Sequence, residues 1–148
     1  MDTKYRIYLD NCSFNRPYDD QSILKNYLEA EAKIYIQNEI RNNTFDLVWS
    51  YMMDYEISFI PFGDRIAQIL KWKSIAVVDI DYSENNVKMA NDIRKENVNI
   101  RVKDSIHIAC SIEANCNYFI TTDGKLLNKT VNGINIINPI NFIQQLGV

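Results

Sequence analysis

The stretch that decides the fold is Tyr5-Arg6-Ile7-Tyr8-Leu9-Asp10, a short apolar segment that ends in an acid. Such a segment, followed by polar turn residues, predicts a buried strand that leaves its sheet at Asp10. Four later segments predict further strands: Phe45–Trp49, Ile75–Ile80, Tyr118–Thr122 and Ile134–Ile137. Because the strands are apolar rather than alternating, the pattern favours a parallel sheet that is covered on both faces.

Segments with helical periodicity separate these strands. The longest predicted helix is capped by Asp19 or Asp20 and runs to about Asn42. The other predicted helices are one capped by Ser50, one over Asp64–Lys73, one from Ser83 to about Glu96, one from Asp104 to about Ala114, and one starting at Asn138-Pro139. The alternation predicts an α/β fold with three layers, α/β/α, around a central and mainly parallel sheet. The 148 residues suit a single domain over residues 1–148.

The composition argues against three classes of protein: basic nucleic-acid binders, disulfide-rich proteins and membrane proteins. With 16 basic and 19 acidic residues the net charge is −3, so the overall field is not that of a basic nucleic-acid binder, and a polyanion would have to be held locally. Three cysteines without a C-x-x-C pair argue against a disulfide framework and for a reducing compartment. The start of the chain does not resemble a signal peptide, and no segment is apolar enough to span a bilayer. We therefore expect a cytoplasmic protein without membrane contact.

Four acids fall at or beside the carboxyl ends of the predicted strands, where such sheets bind ligands. They are Asp10, Glu56, Asp104 and Asp123. Each one alone has an ordinary interpretation as a turn residue, a helix cap or a solvated helix residue. Together they would repel one another unless they were protonated or bound to a cation. The set predicts a site for Mg²⁺ or Mn²⁺, which take carboxylate oxygens and substrate phosphates as ligands.

The second acid of this set stays open between Glu56 and Asp54. Glu56 is preferred because it falls about two turns into the helix after Ser50. His107 lies three residues after Asp104 and is interpreted as a partnered core or surface histidine, not as a catalytic one.

Glu29 and Lys33 are four residues apart on the first long helix. That spacing suits a surface ion pair, so they are interpreted as part of the solvated face of the helix.

Three segments together resemble a PIN domain: Leu9–Pro17, Lys103–Cys110 and Phe119–Asp123. PIN domains are metal-dependent nucleases with a parallel α/β/α sheet, and many small bacterial ones are the toxins of toxin–antitoxin pairs. The resemblance implies that Asp10, Glu56, Asp104 and Asp123 form the acidic quartet of the family, with Ser13 or Thr121 as a polar neighbour. Many relatives carry a further acid two residues after the late Asp, where this chain has Lys125.

The sequence therefore predicts a divalent-metal-dependent ribonuclease that hydrolyses RNA phosphodiester bonds through a metal-activated water. The candidates for substrate binding are Arg16 and Lys125 for the RNA backbone, with Ser13 and Thr121 beside them. The resemblance alone suggests a toxin with an antitoxin partner. A second copy of the chain becomes a further candidate partner if the apolar stripe of the first long helix stays exposed.

Two other functions are alternatives to a ribonuclease. In the first, the chain is a non-catalytic PIN-fold module that acts through a protein or nucleic-acid partner, and its acids serve only as turn and cap residues. In the second, it is a phospho-accepting receiver domain. The sequence disfavours a receiver because the first turn is Asp10-Asn11 instead of an acidic pair, and the late strand ends in Asp123 with Lys125 only afterwards.

Overall fold

The computed structural model describes residues 4–10 and 24–147. Five strands form one sheet: β1 (Tyr5–Leu9), β2 (Phe45–Ser50), β3 (Val78–Ile80), β4 (Tyr118–Ile120) and β5 (Asn135–Ile137). All neighbouring strands are parallel, and their order across the sheet is β3-β2-β1-β4-β5. Because β1 is central, its carboxyl end lies between the ends of β2 and β4.

Seven helices occur among the described residues: α1 (Leu24–Arg41), α2 (Tyr51–Ile57), α3 (Gly63–Ile75), α4 (Glu84–Glu96), α5 (Val102–Glu113), α6 (Gly124–Leu127) and α7 (Pro139–Gln145). Helix α1 packs with α7, and α4 packs with α5. The side chains of successive residues of β1 show that these two pairs of helices lie on opposite faces of the sheet. Leu9 lines the same small hollow as Ile36 of α1, whereas Tyr8 contacts His107 of α5. The predicted three-layer α/β/α fold is confirmed.

Aromatic side chains fill both sides of the sheet. The ring of Tyr8 stacks on that of Phe119, with ring centroids 5.3 Å apart. On the α7 side, the ring of Phe142 meets the edges of Phe45 and Tyr118 at centroid distances of 5.4 Å and 5.2 Å. Such edge-to-face and offset-stacked pairs stabilise a core beyond the area they bury.

One strand prediction was wrong, and one helix was not predicted. The segment Ile75–Ile80 is not one strand, because α3 continues to Ile75 and β3 starts only at Val78. The backbone N–H of Ala76 donates to the carbonyl of Lys73, which ends the helix inside the apolar run. A short apolar run does not by itself distinguish the end of a helix from the start of a strand. Helix α6 was not predicted, since four residues are too few for a periodic signal.

Helix α1 also differs from its prediction. Glu29 and Lys33 were expected on the solvated face, but they are 5% and 1% exposed. Lys33 lies against Leu9, Ile120 and Pro139, so the helix turns this side towards the end of the sheet. Its predicted cap at Asp19 or Asp20 lies outside the described residues.

The apolar stripe of α1 is only partly covered. Ile36 and Ile40 are buried, whereas Leu24, Tyr27 and Leu28 in its first turns are exposed. No helix within residues 4–10 and 24–147 combines the length and the hydropathy that crossing a membrane requires.

Asn86 is a buried polar residue near the start of α4. Its backbone N–H donates to Oγ of the capping Ser83 (3.0 Å), its Oδ1 accepts from the Tyr51 hydroxyl (3.0 Å), and its Nδ2 donates to the carbonyl of Asp81 (3.0 Å). One side chain thus joins the start of α4 to α2 and to the loop after β3.

We predict that Asn86→Ala lowers the free energy of unfolding by about 1–3 kcal/mol, because it leaves buried polar partners unsatisfied. The control Asn85→Ala removes the same groups from an exposed neighbour on the same helix. It should change stability by no more than about 0.5 kcal/mol. Urea unfolding of the three proteins measures the difference, and equal effects of the two substitutions would show that the Asn86 contacts contribute nothing specific.

Candidate functional site

Asp10 lies where β1 leaves the sheet. Its backbone N–H donates to the carbonyl of Ile120 at 3.0 Å, so the ladder between β1 and β4 extends to the residue that carries the carboxylate. Thr121 follows Ile120 and donates its hydroxyl to Oδ2 of Asp10 (2.7 Å). The same Thr121 oxygen accepts the backbone N–H of Asp123 (3.0 Å). Two adjacent strand ends thus hold the Asp10 carboxylate in place.

Glu56 approaches this point from α2, beside the fully buried His107 of α5. Because a carboxylate only accepts hydrogen bonds, Nε2–H of His107 donates to Oε1 of Glu56. Nδ1 of His107 is hydrogen-bonded to the Tyr8 hydroxyl at 2.5 Å, and that hydroxyl is hydrogen-bonded to the Ser50 hydroxyl at 2.7 Å. The hydrogen bonds at its two ring nitrogens fix the orientation of His107.

The carboxyl groups of Asp10 and Glu56 have pKa values shifted in opposite directions. Burial raises the pKa of Asp10, while His107 and the hydrogen bond from Thr121 oppose the rise. Burial also acts to raise the pKa of Glu56, but the hydrogen bond and the electrostatic attraction of His107 outweigh it and lower that pKa. Carboxyl groups whose environments separate their pKa values are typical of functional sites.

The donor set at this point fits a divalent metal ion. Asp10, Glu56 and His107 each offer one ligand atom, and these atoms all lie within 4.8 Å of one another. The two carboxylate oxygens suit Mg²⁺ and Mn²⁺, and the imidazole would add a ligand for Mn²⁺ only after Nε2 had lost the proton that it donates to Glu56. A bound cation would favour ionisation of Asp10, which burial opposes.

Asp104 and Asp123 lie at the same edge of the sheet but are joined to each other through Arg101. Nε of Arg101 donates to Oδ2 of Asp104 (2.8 Å), and Nη2 donates to Oδ2 of Asp123 (3.5 Å). Arg101 is also the N-cap residue of α5, so Asp104 lies in the first turn and is not the helix cap. Asp123 does cap a helix, because its Oδ1 accepts the backbone N–H of Lys125 (2.9 Å) at the start of α6.

The structure separates Glu56 from Asp54. Oδ1 of Asp54 accepts from Nε1 of Trp49 (3.0 Å) and from Nζ of Lys73 (3.1 Å). Lys73 also lies 3.9 Å from Asp79, so Asp54 belongs to a surface ion-pair group. Of the two residues, only Glu56 is grouped with Asp10 and His107.

Of the four residues predicted to bind substrate, the structure describes two, Thr121 and Lys125. Ser13 and Arg16 fall outside the described residues. Thr121 is fully buried, and its hydroxyl supports Asp10, so it is placed to position the carboxylate and not to reach a substrate. Lys125 is exposed in α6, next to Asp123.

His107 is a partnered core histidine, as predicted, because it is fully buried and hydrogen-bonded to Tyr8 and Glu56. Its place beside Asp10 and Glu56 is not predicted, since a lone histidine on an apolar helix usually has only a structural role. A usable signal was present, since His107 is the only histidine of the chain and lies one helical turn from Asp104. The partner that decides its role, Glu56, is 51 residues away in sequence and becomes a neighbour only through the fold.

Comparisons with known proteins agree on the fold. No protein-family model matches the chain, and no curated protein matches its sequence. Three solved structures each match 90% of it: FitAB bound to an IR36 DNA fragment, with TM-score 0.62, 16% identity and 95% of that chain covered; VapBC2 from Rickettsia felis bound to a DNA fragment from their promoter, with 0.59, 13% and 98%; and FitAcB from Neisseria gonorrhoeae, with 0.58, 13% and 97%.

The chain has a PIN-like fold. The predicted resemblance to a PIN domain is thereby confirmed at the level of architecture. At these identities the likeness concerns the fold alone. The roles of individual residues in this PIN-like chain depend on the geometry described above.

We predict that Asp10→Asn stabilises the protein in EDTA at neutral pH. The folded state raises the pKa of Asp10, so ionisation of this group destabilises the fold; the penalty is absent below the ordinary pKa of 3.8 and grows as pH rises through the folded-state value. Asparagine keeps an oxygen for the Thr121 hydroxyl and removes the charge.

Urea unfolding at pH 7 and near pH 3.5 measures this effect. The gain should be present at pH 7 and disappear at the lower pH. Asp92→Asn, a control at an exposed position of α4, should show no such gain. A less stable Asp10→Asn protein at pH 7 would contradict the prediction.

Proposed function

We propose that the chain is a divalent-metal-dependent ribonuclease. The observation that carries the proposal is the grouping of Asp10, Glu56 and His107 at the carboxyl end of the central strand of a PIN-like fold. Ligand sites of parallel α/β sheets lie at this edge. Asp104 and Asp123 border the same edge and extend the acidic surface.

Asp10 and Glu56 would hold the ion, with Asp104 and Asp123 as further carboxylate ligands, and His107 would orient Glu56 through Nε2–H. The ion would be Mg²⁺ or Mn²⁺, both of which take carboxylate oxygens as ligands. When bound, a divalent ion supplies an activated water and polarises a phosphoryl oxygen, which is the chemistry that phosphodiester hydrolysis needs.

The chain itself contributes orientation and charge. The Thr121 hydroxyl holds the Asp10 carboxylate, and Nε2–H of His107 holds the Glu56 carboxylate beside it. A partner that fixes a metal ligand in this way typically raises affinity for the ion. The exposed Lys103 lowers the pKa of Glu56 by its charge and, with Lys125 and Arg16, is a candidate to hold the RNA backbone.

We further propose that the chain is the toxin of a toxin–antitoxin pair. Support comes from its likeness to VapBC2 and FitAB, which are toxin–antitoxin complexes. An antitoxin segment would be its protein partner, and a second copy of the chain a further candidate partner. Both RNA and an antitoxin would be met in the cytoplasm.

We predict that the purified protein cleaves labelled single-stranded RNA in Mn²⁺ or Mg²⁺ but not in EDTA. Asp104→Asn should reduce the rate by at least about 10- to 100-fold, the loss seen when even an outer partner of a metal site is removed. Asp92→Asn makes the same chemical change at an exposed position of α4 and should leave the rate unchanged.

A second readout separates the possible failures of this experiment. A divalent ion that binds only the folded state raises the melting temperature, because it stabilises that state by RT ln(1 + [L]/Kd). Absence of both cleavage and a melting shift in Mn²⁺ would overturn the metal site and leave a non-catalytic binding module with the same fold. A melting shift without cleavage of this RNA or of matched DNA would retain the metal site and overturn the general ribonuclease activity.

A further inference from the structure

Arg101 occupies an unusual place for a cation in a candidate metal site. It precedes α5, and its guanidinium reaches both Asp104 and Asp123, two of the carboxylates proposed as metal ligands. Both contacts are made to the Oδ2 atoms of these residues. The guanidinium therefore bridges the two carboxylates and neutralises part of their charge.

The two ends of this bridge differ in burial. The Asp104 side chain is 8% exposed, whereas that of Arg101 is 67% exposed. A buried carboxylate is costly to leave without a compensating cation, because it has been taken out of water. An exposed arginine loses little when it leaves such a contact, since water solvates it at once. Asp104 thus depends on a nearby positive charge, but Arg101 does not depend on Asp104.

We infer that Arg101 is a built-in competitor of the metal ion: its guanidinium holds Asp104 and Asp123 together until a divalent ion takes these carboxylates, and it then turns outward to a phosphate of the nucleic acid. The inference rests on the proposed metal-dependent function. It adds a residue that couples loading of the ion to binding of the substrate.

If Asp104 and Asp123 serve as ligands, Arg101 and a divalent ion would compete for them, because both are positively charged and both bind the same carboxylates. The positive charges of the guanidinium and the ion would also repel each other. Occupancy by Arg101 weakens metal binding and protects Asp104 from repulsion by Asp10, whose pKa the charge of Asp104 raises. Removing Arg101 should therefore make the metal ion bind more tightly.

Release of the guanidinium would have a second effect. Once free of carboxylates, an arginine presents a planar set of donors that matches two phosphate oxygens. Because Arg101 is anchored at the start of α5, the released side chain stays beside the site. Binding of the ion should then strengthen binding of RNA in the wild-type protein, and this coupling should be lost without Arg101.

The metal arm of the test measures Mn²⁺ binding by electron paramagnetic resonance, which reports the free ion directly and needs no activity. Arg101→Met should bind Mn²⁺ about two- to five-fold more tightly than the wild type, the size expected for an exposed ion pair. Lys103→Met is the matched control, because it removes one charge from the same end of α5. The effect of Arg101→Met must exceed that of Lys103→Met, and Arg101→Lys should fall between wild type and Arg101→Met.

The RNA arm measures fluorescence anisotropy of a labelled single-stranded RNA in EDTA and in Ca²⁺, with the RNA checked on a gel to be intact. Addition of the ion should raise the RNA affinity of the wild type more than that of Arg101→Met. Circular dichroism confirms that each variant is folded.

The outcomes separate this inference from the proposed function. If the wild type binds no Mn²⁺, the proposed function fails and the inference fails with it. If the wild type binds Mn²⁺ but Arg101→Met binds it no more tightly than Lys103→Met does, the inference alone is overturned. Equal strengthening of RNA binding by the ion in wild type and Arg101→Met overturns the transfer of Arg101 to phosphate.

Discussion

The backbone hydrogen bond from Asp10 to Ile120 is the contact on which the candidate site depends. It is the last rung between β1 and β4, and it aligns Asp10 with Thr121 at the edge of the sheet. A shift of one residue in this register would turn Asp10 to the opposite face and separate it from His107. The apolar pairs Tyr8–Phe119 and Leu9–Ile120, which are buried on both faces, fix the register and so place the carboxylate.

Among the described residues, carboxylates occur in two kinds of surroundings. Asp46 and Asp54 each face a lysine on a partly exposed surface, at 3.0 Å from Lys4 and 3.1 Å from Lys73, which is an ordinary arrangement for surface carboxylates. Asp10, by contrast, is placed near other carboxylates, and its burial raises its pKa, so its ionisation is less favourable than in water. A fold that keeps such a group accepts lower stability at one point, which is common where a charged ligand or substrate is bound.

Most of the architecture could be predicted from the sequence, because it depends on local patterns. The strand Tyr5–Leu9, the Ser50 and Ser83 caps and the Asn138-Pro139 helix start are all found as predicted. The segment Ile75–Ile80 was predicted wrongly because the end of a helix and an edge strand can carry the same apolar residues.

The details of the site were less accessible from the sequence. The contacts of Glu56 with His107 and of Arg101 with Asp123 join residues 51 and 22 positions apart, so no local pattern reveals them. Spacing on α1 gave the wrong environment for Glu29 and Lys33, because a favourable four-residue spacing says nothing about which face of the helix is buried. Tertiary packing decides that face.

The central claim is that Asp10 and Glu56 share a divalent metal ion beside His107. Anomalous diffraction from crystals soaked in MnCl₂ addresses it most directly, because the signal locates manganese independently of any assay. The account predicts a manganese peak within coordination distance of Asp10 and Glu56 at the carboxyl end of β1. Ordered manganese found only elsewhere, with Asp10, Glu56 and His107 still in their present arrangement and no peak between them, would contradict it.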